Sequence, residues 1–269
     1  MKDSWGFKIG IAIVGFFLLI AIFAPWLPVP SPLEQNLELE FFGPRPGHPL
    51  GLGENGVDVL SHLVHATRVS LGVSLISVLI SASVGGFLGL ISALKRGWVD
   101  QLIMRLVDIV YSFPGILLVV ALAAFLGPSI TNLILCLSLT GWASYARIIR
   151  GVSLSLVERD FVQGARALGA SNSRILLWHL FPNVLPTMIV KMTYGIGSVI
   201  LAESSLGFLG LGAPPGTPSW GQLLNSGREV MTSAPHLVIL PASALVLTVM
   251  AFNLIGDAVR DAIDPKMRT

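Results

Sequence analysis

Apolar residues in this chain come in long unbroken runs instead of alternating with polar ones. Six runs stand out, at residues 7–27, 69–94, 102–126, 130–149, 184–202 and 237–255. Each approaches the roughly 20 residues that a helix needs to cross the hydrocarbon core of a bilayer. None shows the apolar–polar alternation over roughly 10 residues that marks a membrane barrel strand. The pattern predicts an all-α integral membrane protein with six transmembrane helices. The first run has the position of a secretory signal. Its apolar stretch is long, however, and Pro25 follows Ala24 where a small-residue cleavage site would fall, so it reads as an uncleaved anchor.

Composition agrees. The 269 residues carry 17 basic and 15 acidic side chains, so only 12% are charged, while 53% are apolar and the mean hydropathy is +0.78. A soluble domain has roughly 25% charged residues. A disordered or highly charged tail is excluded by the same numbers. The lone Cys136 excludes an internal disulfide framework.

Lysine and arginine between the runs set the expected orientation. One set of loops holds thirteen of them: Lys2, Lys8, Lys95, Arg96, Arg105, Arg147, Arg150, Arg159, Arg166, Arg174, Arg260, Lys266 and Arg268. The opposite set holds Arg45, Arg68 and Arg228. Both termini are therefore expected in the cytoplasm, which an even number of spans requires. Residues 28–68 and 204–236 then form long extracytoplasmic loops, and residues 150–181 a long cytoplasmic one. The other connections are short, so residues 1–269 read as a single domain.

No phosphate-binding loop, nucleophile elbow or zinc-protease helix occurs, so no catalytic residue is expected. His62 and His65 lie three apart on an expected short helix beside the membrane, but two exposed histidines are a weak case for a metal, and no metal site is assigned. In the second run Ser77, Ser81, Gly85, Gly89 and Ala93 place a small residue at every fourth position, a stripe that lets another helix approach closely. Whether that helix belongs to this chain or to a partner stays open. In the third run Arg105 and Asp108 are one turn apart and are expected to pair, and Pro114 should bend the helix. A fixed kink and a moving gate are both open. Lys191 and Glu203 are the ionisable groups of the fifth run. Lys191 is the deeper and the better pore-lining candidate, although it is also placed to snorkel to the cytoplasm, and Glu203 is expected near the outer interface. Asp108, Pro114, Lys191 and Glu203 are thus the pore or gate candidates.

The 150–181 loop carries the most pattern. Ser155-Leu-Val-Glu158 matches a capping box, which predicts a helix from Leu156 to Leu168 that stops at Gly169. Ser171 should cap a second short helix ending before Pro182-Asn183. On the first helix Val157, Phe161, Ala165 and Leu168 share an apolar face. Arg159, Gln163 and Arg166 form a polar one, where a change of charge should matter little. An apolar face held in the cytosol implies a docking partner.

These residues resemble a known family. Gln163-Gly-Ala-Arg-Ala-Leu-Gly169 with Phe181-Pro182-Asn183 is similar to the EAA loop of binding-protein-dependent ABC importer permeases. The narrower resemblance is to the dipeptide, oligopeptide and nickel group. It rests on His48-Pro-Leu-Gly51 with Gly56-Val-Asp-Val-Leu-Ser61, on Ala66-Thr-Arg-Val-Ser-Leu71, on Gly207-Phe-Leu-Gly-Leu-Gly212 with Pro218-Ser-Trp-Gly221, and on Phe252-Asn-Leu-Ile-Gly-Asp257 through Arg260-Asp261 to Asp264-Pro265. Gln163 and Gly164 stand where that loop usually has an acidic residue and alanine, Leu52-Gly53 where Thr-Asp is usual, and Val57 where arginine is usual.

The resemblance implies a type I permease in a bacterial or archaeal inner or plasma membrane. It implies a heterodimer with a second permease, two ATP-binding subunits that use ATP and Mg, and an extracytoplasmic substrate-binding protein. No cofactor bound by this chain and no nucleic acid partner are expected. It further implies that Phe161, Gln163, Gly164, Ala165, Arg166, Ala167, Leu168, Gly169 and Pro182 form the ATPase-coupling element. The expected cargo is a di- or oligopeptide, with nickel or a metal chelate as the alternative. A self-contained ion-coupled transporter or channel is the rival from another class; it would show inverted repeats and buried coupling charges, and no such repeat is evident.

Overall fold

In hydrocarbon no water is present to bond backbone N–H and C=O groups, so an apolar run must satisfy them internally by becoming helix. The computed structural model, which describes residues 5–263, is helical in every predicted run and has no strand among the described residues. Lys2, Lys266, Arg268 and the Asp264-Pro265 pair lie outside the described residues. The elements are α1 (Trp5–Phe23), α2 (Val59–Lys95), α3 (Gly97–Tyr111), α4 (Gly115–Leu126), α5 (Ile130–Val157), α6 (Asp160–Ala167), α7 (Asn172–Arg174), a π turn (Ile175–Leu180), α8 (Phe181–Phe208), α9 (Trp220–Arg228) and α10 (His236–Ile263). Five helical stretches are long and apolar enough to cross a membrane, or six if α3 and α4 count as one broken span.

Helix α2 begins ten residues before the expected span, so His62 and His65 sit on its first turns and not on a separate helix. Asp58 makes this possible. Its buried carboxylate caps the helix by accepting from the Ser61 N–H at 2.7 Å and also takes the His48 Nδ1–H at 2.8 Å. The Ser61 hydroxyl donates to the Pro30 carbonyl at 2.5 Å, which ties the 28–58 segment onto the same turn. His65 Nδ1 is 2.9 Å from the Ser61 carbonyl, and the described residues hold no cluster of three metal-ligating side chains.

The small-residue stripe of α2 is consumed within the chain. It faces α5 so closely that a Cβ at Gly85 would lie 2.2 Å from the Trp142 carbonyl oxygen, and one at Gly89 would lie 2.6 Å from that of Ala146. In lipid, association rests on packing and not on hydrophobic transfer, so this contact of backbone on backbone is the main seam of the bundle. Helix α10 packs on α8, and α1 packs on α10 with Val14 and Phe17 buried. The Phe17 ring meets the edge of fully buried Trp220 at a centroid distance of 5.8 Å, so α1 is part of the bundle core.

Pro114 does more than bend the third run. The residue before a proline disfavours helical geometry and the proline has no N–H to give, and the chain turns by 85° between α3 and α4. The expected Arg105–Asp108 pair is not made. Asp108 accepts from Arg147 of α5 at 2.7 Å, while the same guanidinium lies 4.3 Å from the centre of the Tyr111 ring, and Arg105 is exposed. From α5 the Arg147 guanidinium meets the Asp108 carboxylate and the Tyr111 ring of α3 together, while Arg105 stays exposed.

Candidate functional site

The 150–181 loop folds as a bracket at one end of the bundle. The predicted capping box does not form. Helix α5 runs through Ser155, whose hydroxyl donates to the Val152 carbonyl at 2.8 Å, and ends at Val157. Glu158 turns away and pairs with Arg96, at the tip of the α2–α3 connection. A long-range cation therefore takes the carboxylate that the local pattern assigned to its own helix. Helix α6 starts at Asp160, whose charge suits the positive end of the helix.

The α5–α6 joint is closed by Gln163, whose side-chain Nε2–H donates to the Val157 carbonyl at 2.7 Å. Gln163 is thus tied into the joint instead of standing free on the polar face, and a carboxylate there would have no proton to give that carbonyl. The stop at Gly169 is as expected. Its φ of +80° belongs to the left-handed region, and the Ala170 N–H returns to the Ala165 carbonyl at 3.0 Å while the Gly169 N–H returns to that of Arg166 at 3.0 Å. Ser171 then caps the next turn by accepting from the Arg174 N–H at 3.3 Å.

The second helix does not end before Pro182. It widens into the π turn and continues as α8, with Pro182 in the first turn and Pro186 inside. Within the wide turn the Phe181 N–H reaches back five residues to the Leu176 carbonyl, and Asn183 Nδ2 donates to that of His179 at 2.7 Å.

The anchoring residue of α6 is Val162, which the periodicity reading had not placed on the buried side. Fully buried, it joins Val157, Ile175, Leu176 and Leu180 in one apolar plug. That leaves Phe161 45% exposed and Leu168 90% exposed, with Gly164, Arg166, Ala167 and Gly169 also exposed and Ala165 half-buried. A Cβ at Gly164 or Gly169 would meet nothing of this chain within 4 Å. The bracket thus presents two large apolar side chains flanked by small residues on a face that this chain leaves uncovered.

A brace connects this end to the broken span. Arg150 of α5 grips Asp100 of α3 with both arms of its fork, Nε to Oδ1 at 2.5 Å and Nη2 to Oδ2 at 2.6 Å, and Ser92 donates to the same carboxylate. With Arg147–Asp108, this gives α5 two arginine clamps on α3 and a continuous path into α6. Bidentate, partly buried pairs are among the stronger polar contacts, and leaving one partner unmatched costs about 1–3 kcal/mol. Asp100→Asn should lower the unfolding midpoint of the purified protein by a few degrees. An unchanged midpoint would mean the clamp contributes nothing to the fold.

The remaining candidates are dispersed. Lys191 is half-buried on α8, its Nζ 6.0 Å from the centre of the Tyr145 ring. Glu203 is fully enclosed and not at an open edge: Ser204 donates to its Oε2 at 3.3 Å, and Ser70 and Ser219 lie beside it. Ser70 also accepts the Trp220 N–H at 3.2 Å, so Glu203 sits under the α9 loop where that loop closes on α2 and α8. The contacts place it as a support of the loop.

Residues 85–269 match the family described as the binding-protein-dependent transport system inner membrane component. The chain belongs to that family. It is 40% identical over 261 residues to the dipeptide transport system permease protein DppC of Alkalihalophilus pseudofirmus, an alignment covering 97% of this chain and 86% of the relative. It is 41% identical over 253 residues to the glutathione transport system permease protein GsiD of Escherichia coli, covering 93% and 83%. Among solved structures, an inward-facing form of the MetNI methionine ABC transporter superposes with a TM-score of 0.61 at 20% identity, over 76% of this chain and 96% of that one. That likeness shows the fold. As a family member the chain is a multi-pass inner-membrane permease subunit of an ABC importer and not an enzyme; in such systems ATP is hydrolysed by a separate subunit.

Proposed function

We propose that this permease carries di- or oligopeptide-type solutes and that its 150–181 bracket couples the pore to the ATPase. The relatives' names, dipeptide and glutathione permeases, support a peptide-type cargo over nickel or a metal chelate. The observation that carries the coupling reading is the uncovered face of α6, where Phe161 and Leu168 project beside Gly164, Ala165, Ala167 and Gly169. A rigid, small-sided helix with two apolar studs suits a confined groove on a partner. Residues 1–269 form one permease domain with six spans and both termini in the cytoplasm, the α3–α4 pair counting as one broken span. The partners are a second permease in a heterodimer, two ATP-binding subunits and an extracytoplasmic binding protein. Asp108 and Pro114, at the broken span and its clamp, are the gate candidates.

Thiol labelling tests the orientation. Single cysteines at Asn36, Ser171 and Asn225 in a Cys136→Ala background should behave differently toward an impermeant reagent in intact cells. Asn36→Cys and Asn225→Cys should react, and Ser171→Cys should react only after the membrane is opened. Labelling of Ser171→Cys in sealed cells would overturn both the topology and the coupling reading.

A further inference from the structure

Helix α8 carries a stripe of polar side chains on one face, which the rest of the chain covers only in part. Thr187, Lys191, Tyr194, Ser198 and Ser205 follow one another at helical spacing, so they fall within an arc of about 60°. Ser198 and Ser205 are exposed, and Thr187, Lys191 and Tyr194 are half-buried. Ile196, Ile200 and Glu203 occupy the opposite, buried side. From Thr187 to Ser205 the stripe runs about 27 Å, close to the roughly 30 Å of a hydrocarbon core.

Lipid could tolerate some of these groups. The Ser198 and Ser205 hydroxyls donate back to the Tyr194 and Leu201 carbonyls at 3.1 and 2.7 Å. It does not tolerate an ammonium so readily, and among the described residues no carboxylate lies within 4.0 Å of Lys191. Nor does it suit the exposed carboxylate of Asp257 on α10, which accepts a hydrogen bond from the Tyr194 hydroxyl and extends the polar face together with exposed Asn253. Leu201 interrupts the stripe between Ser198 and Ser205, but a span with hydroxyls along most of one side and an unmatched cation among them faces water.

We propose that this face of α8 is the aqueous wall of the solute path and that Lys191 is the group that meets a solute carboxylate as it passes. The proposal rests on the permease assignment for the existence of a path, and it adds the residues that line it and the charge it favours. A lysine on a wet wall raises the local concentration of anionic groups and can donate charge-assisted hydrogen bonds to a peptide carboxylate.

The experiment uses the complete transporter in native membranes, with Cys136→Ala as background. Ser198→Cys, Ser205→Cys and, on the buried side, Ile200→Cys are treated with an anionic sulfonatoethyl and a cationic trimethylammonioethyl methanethiosulfonate. Ser198→Cys and Ser205→Cys should react and Ile200→Cys should not. Ser198 lies seven residues from Lys191, about 10 Å along the helix. The anionic-to-cationic rate ratio at Ser198→Cys should therefore fall at least about threefold in Lys191→Gln and be kept in Lys191→Arg. If Ser198→Cys and Ser205→Cys are as inert as Ile200→Cys, the face lies in lipid or against another protein and the proposal fails. If they react but the ratio ignores Lys191, the lysine turns out of the path and its role fails. Binding-protein-stimulated ATP hydrolysis on the same membranes reports separately on the permease reading. Its loss with labelling intact would count against that reading and not against the wetted wall.

Discussion

Gly169→Val and Ala165→Trp are each expected to abolish uptake while the chain still inserts and folds. Gly169 holds a φ of +80°, where an L-residue costs about 1–2 kcal/mol and a β-branched one more. Its Cβ would meet nothing within 4 Å, so valine introduces backbone strain at the α6 stop without a clash elsewhere in this chain. That strain falls on the pair of hydrogen bonds from Gly169 and Ala170 that fix where α6 ends. Ala165→Trp leaves the backbone alone and fills the half-buried position between Phe161 and Leu168. Both positions lie in the bracket and in no seam between spans. Gly169→Asn is the discriminating control, because asparagine tolerates the left-handed region and should keep most of the uptake. The measurement is binding-protein-stimulated ATP hydrolysis and uptake in reconstituted vesicles, beside recovery of the intact complex. Full stimulation and uptake in Gly169→Val and Ala165→Trp would remove this bracket from the coupling path.

A large loss of stability is expected from Gly85→Ala, a change of one methyl group. The new Cβ would lie 2.2 Å from the Trp142 carbonyl oxygen, 2.8 Å from Tyr145 Cβ and 3.0 Å from the Ala146 nitrogen. Two of those three atoms are backbone of a helix that is itself packed, so α2 and α5 must separate along their length. Overpacking typically costs 1–3 kcal/mol, and a clash that no rotamer relieves belongs at or above about 3 kcal/mol. Gly72→Ala, on the same helix, meets nothing within 4 Å and should be neutral or stabilising by about 0.4–1 kcal/mol. Thermal unfolding of the two variants in one detergent separates them: Gly85→Ala should give little monodisperse protein or a midpoint well below that of Gly72→Ala. Equal midpoints would mean that the seam is looser than its geometry indicates.

The spans were legible because each run of apolar residues has only one way to satisfy its backbone in lipid, which is a property of the segment alone. The Gly169 stop and the Ser171 cap were legible for a related reason, since both are satisfied by groups within five residues. The α6 face was readable only in part. A period of 3.6 residues put Val157, Phe161, Ala165 and Leu168 on one side, but the break at Glu158 resets the phase, and Val162 takes the buried position. Nothing within the loop signals that reset, and the Glu158 carboxylate that the local pattern assigned to its own helix pairs instead with Arg96, more than sixty residues away in sequence. Asp108 repeats the lesson, with Arg147 displacing the one-turn neighbour Arg105. The polar stripe of α8 is present in the sequence at helical spacing, yet only Lys191 stands out of the apolar run, because hydroxyls are too weakly polar to break it.

Local sequence therefore settles where this chain is helical, where it must stop and which faces are too small or too polar for lipid. It does not settle what meets those faces. The stripe from Ser77 to Ala93 required some close partner, and the fold supplies α5 of the same chain. His62 and His65 read as a short helix of their own until His48 and the Pro30 carbonyl close around Asp58 and Ser61 and join that turn to α2, ten residues before the expected span. Hydrogen bonds within a turn depend on neighbours along the chain, so they are legible in the sequence wherever no distant group competes for them. Pairs across the bundle compete with them only once packing has brought the partners together, and at Asp108 and Glu158 the competitor is an arginine on another helix or at its end.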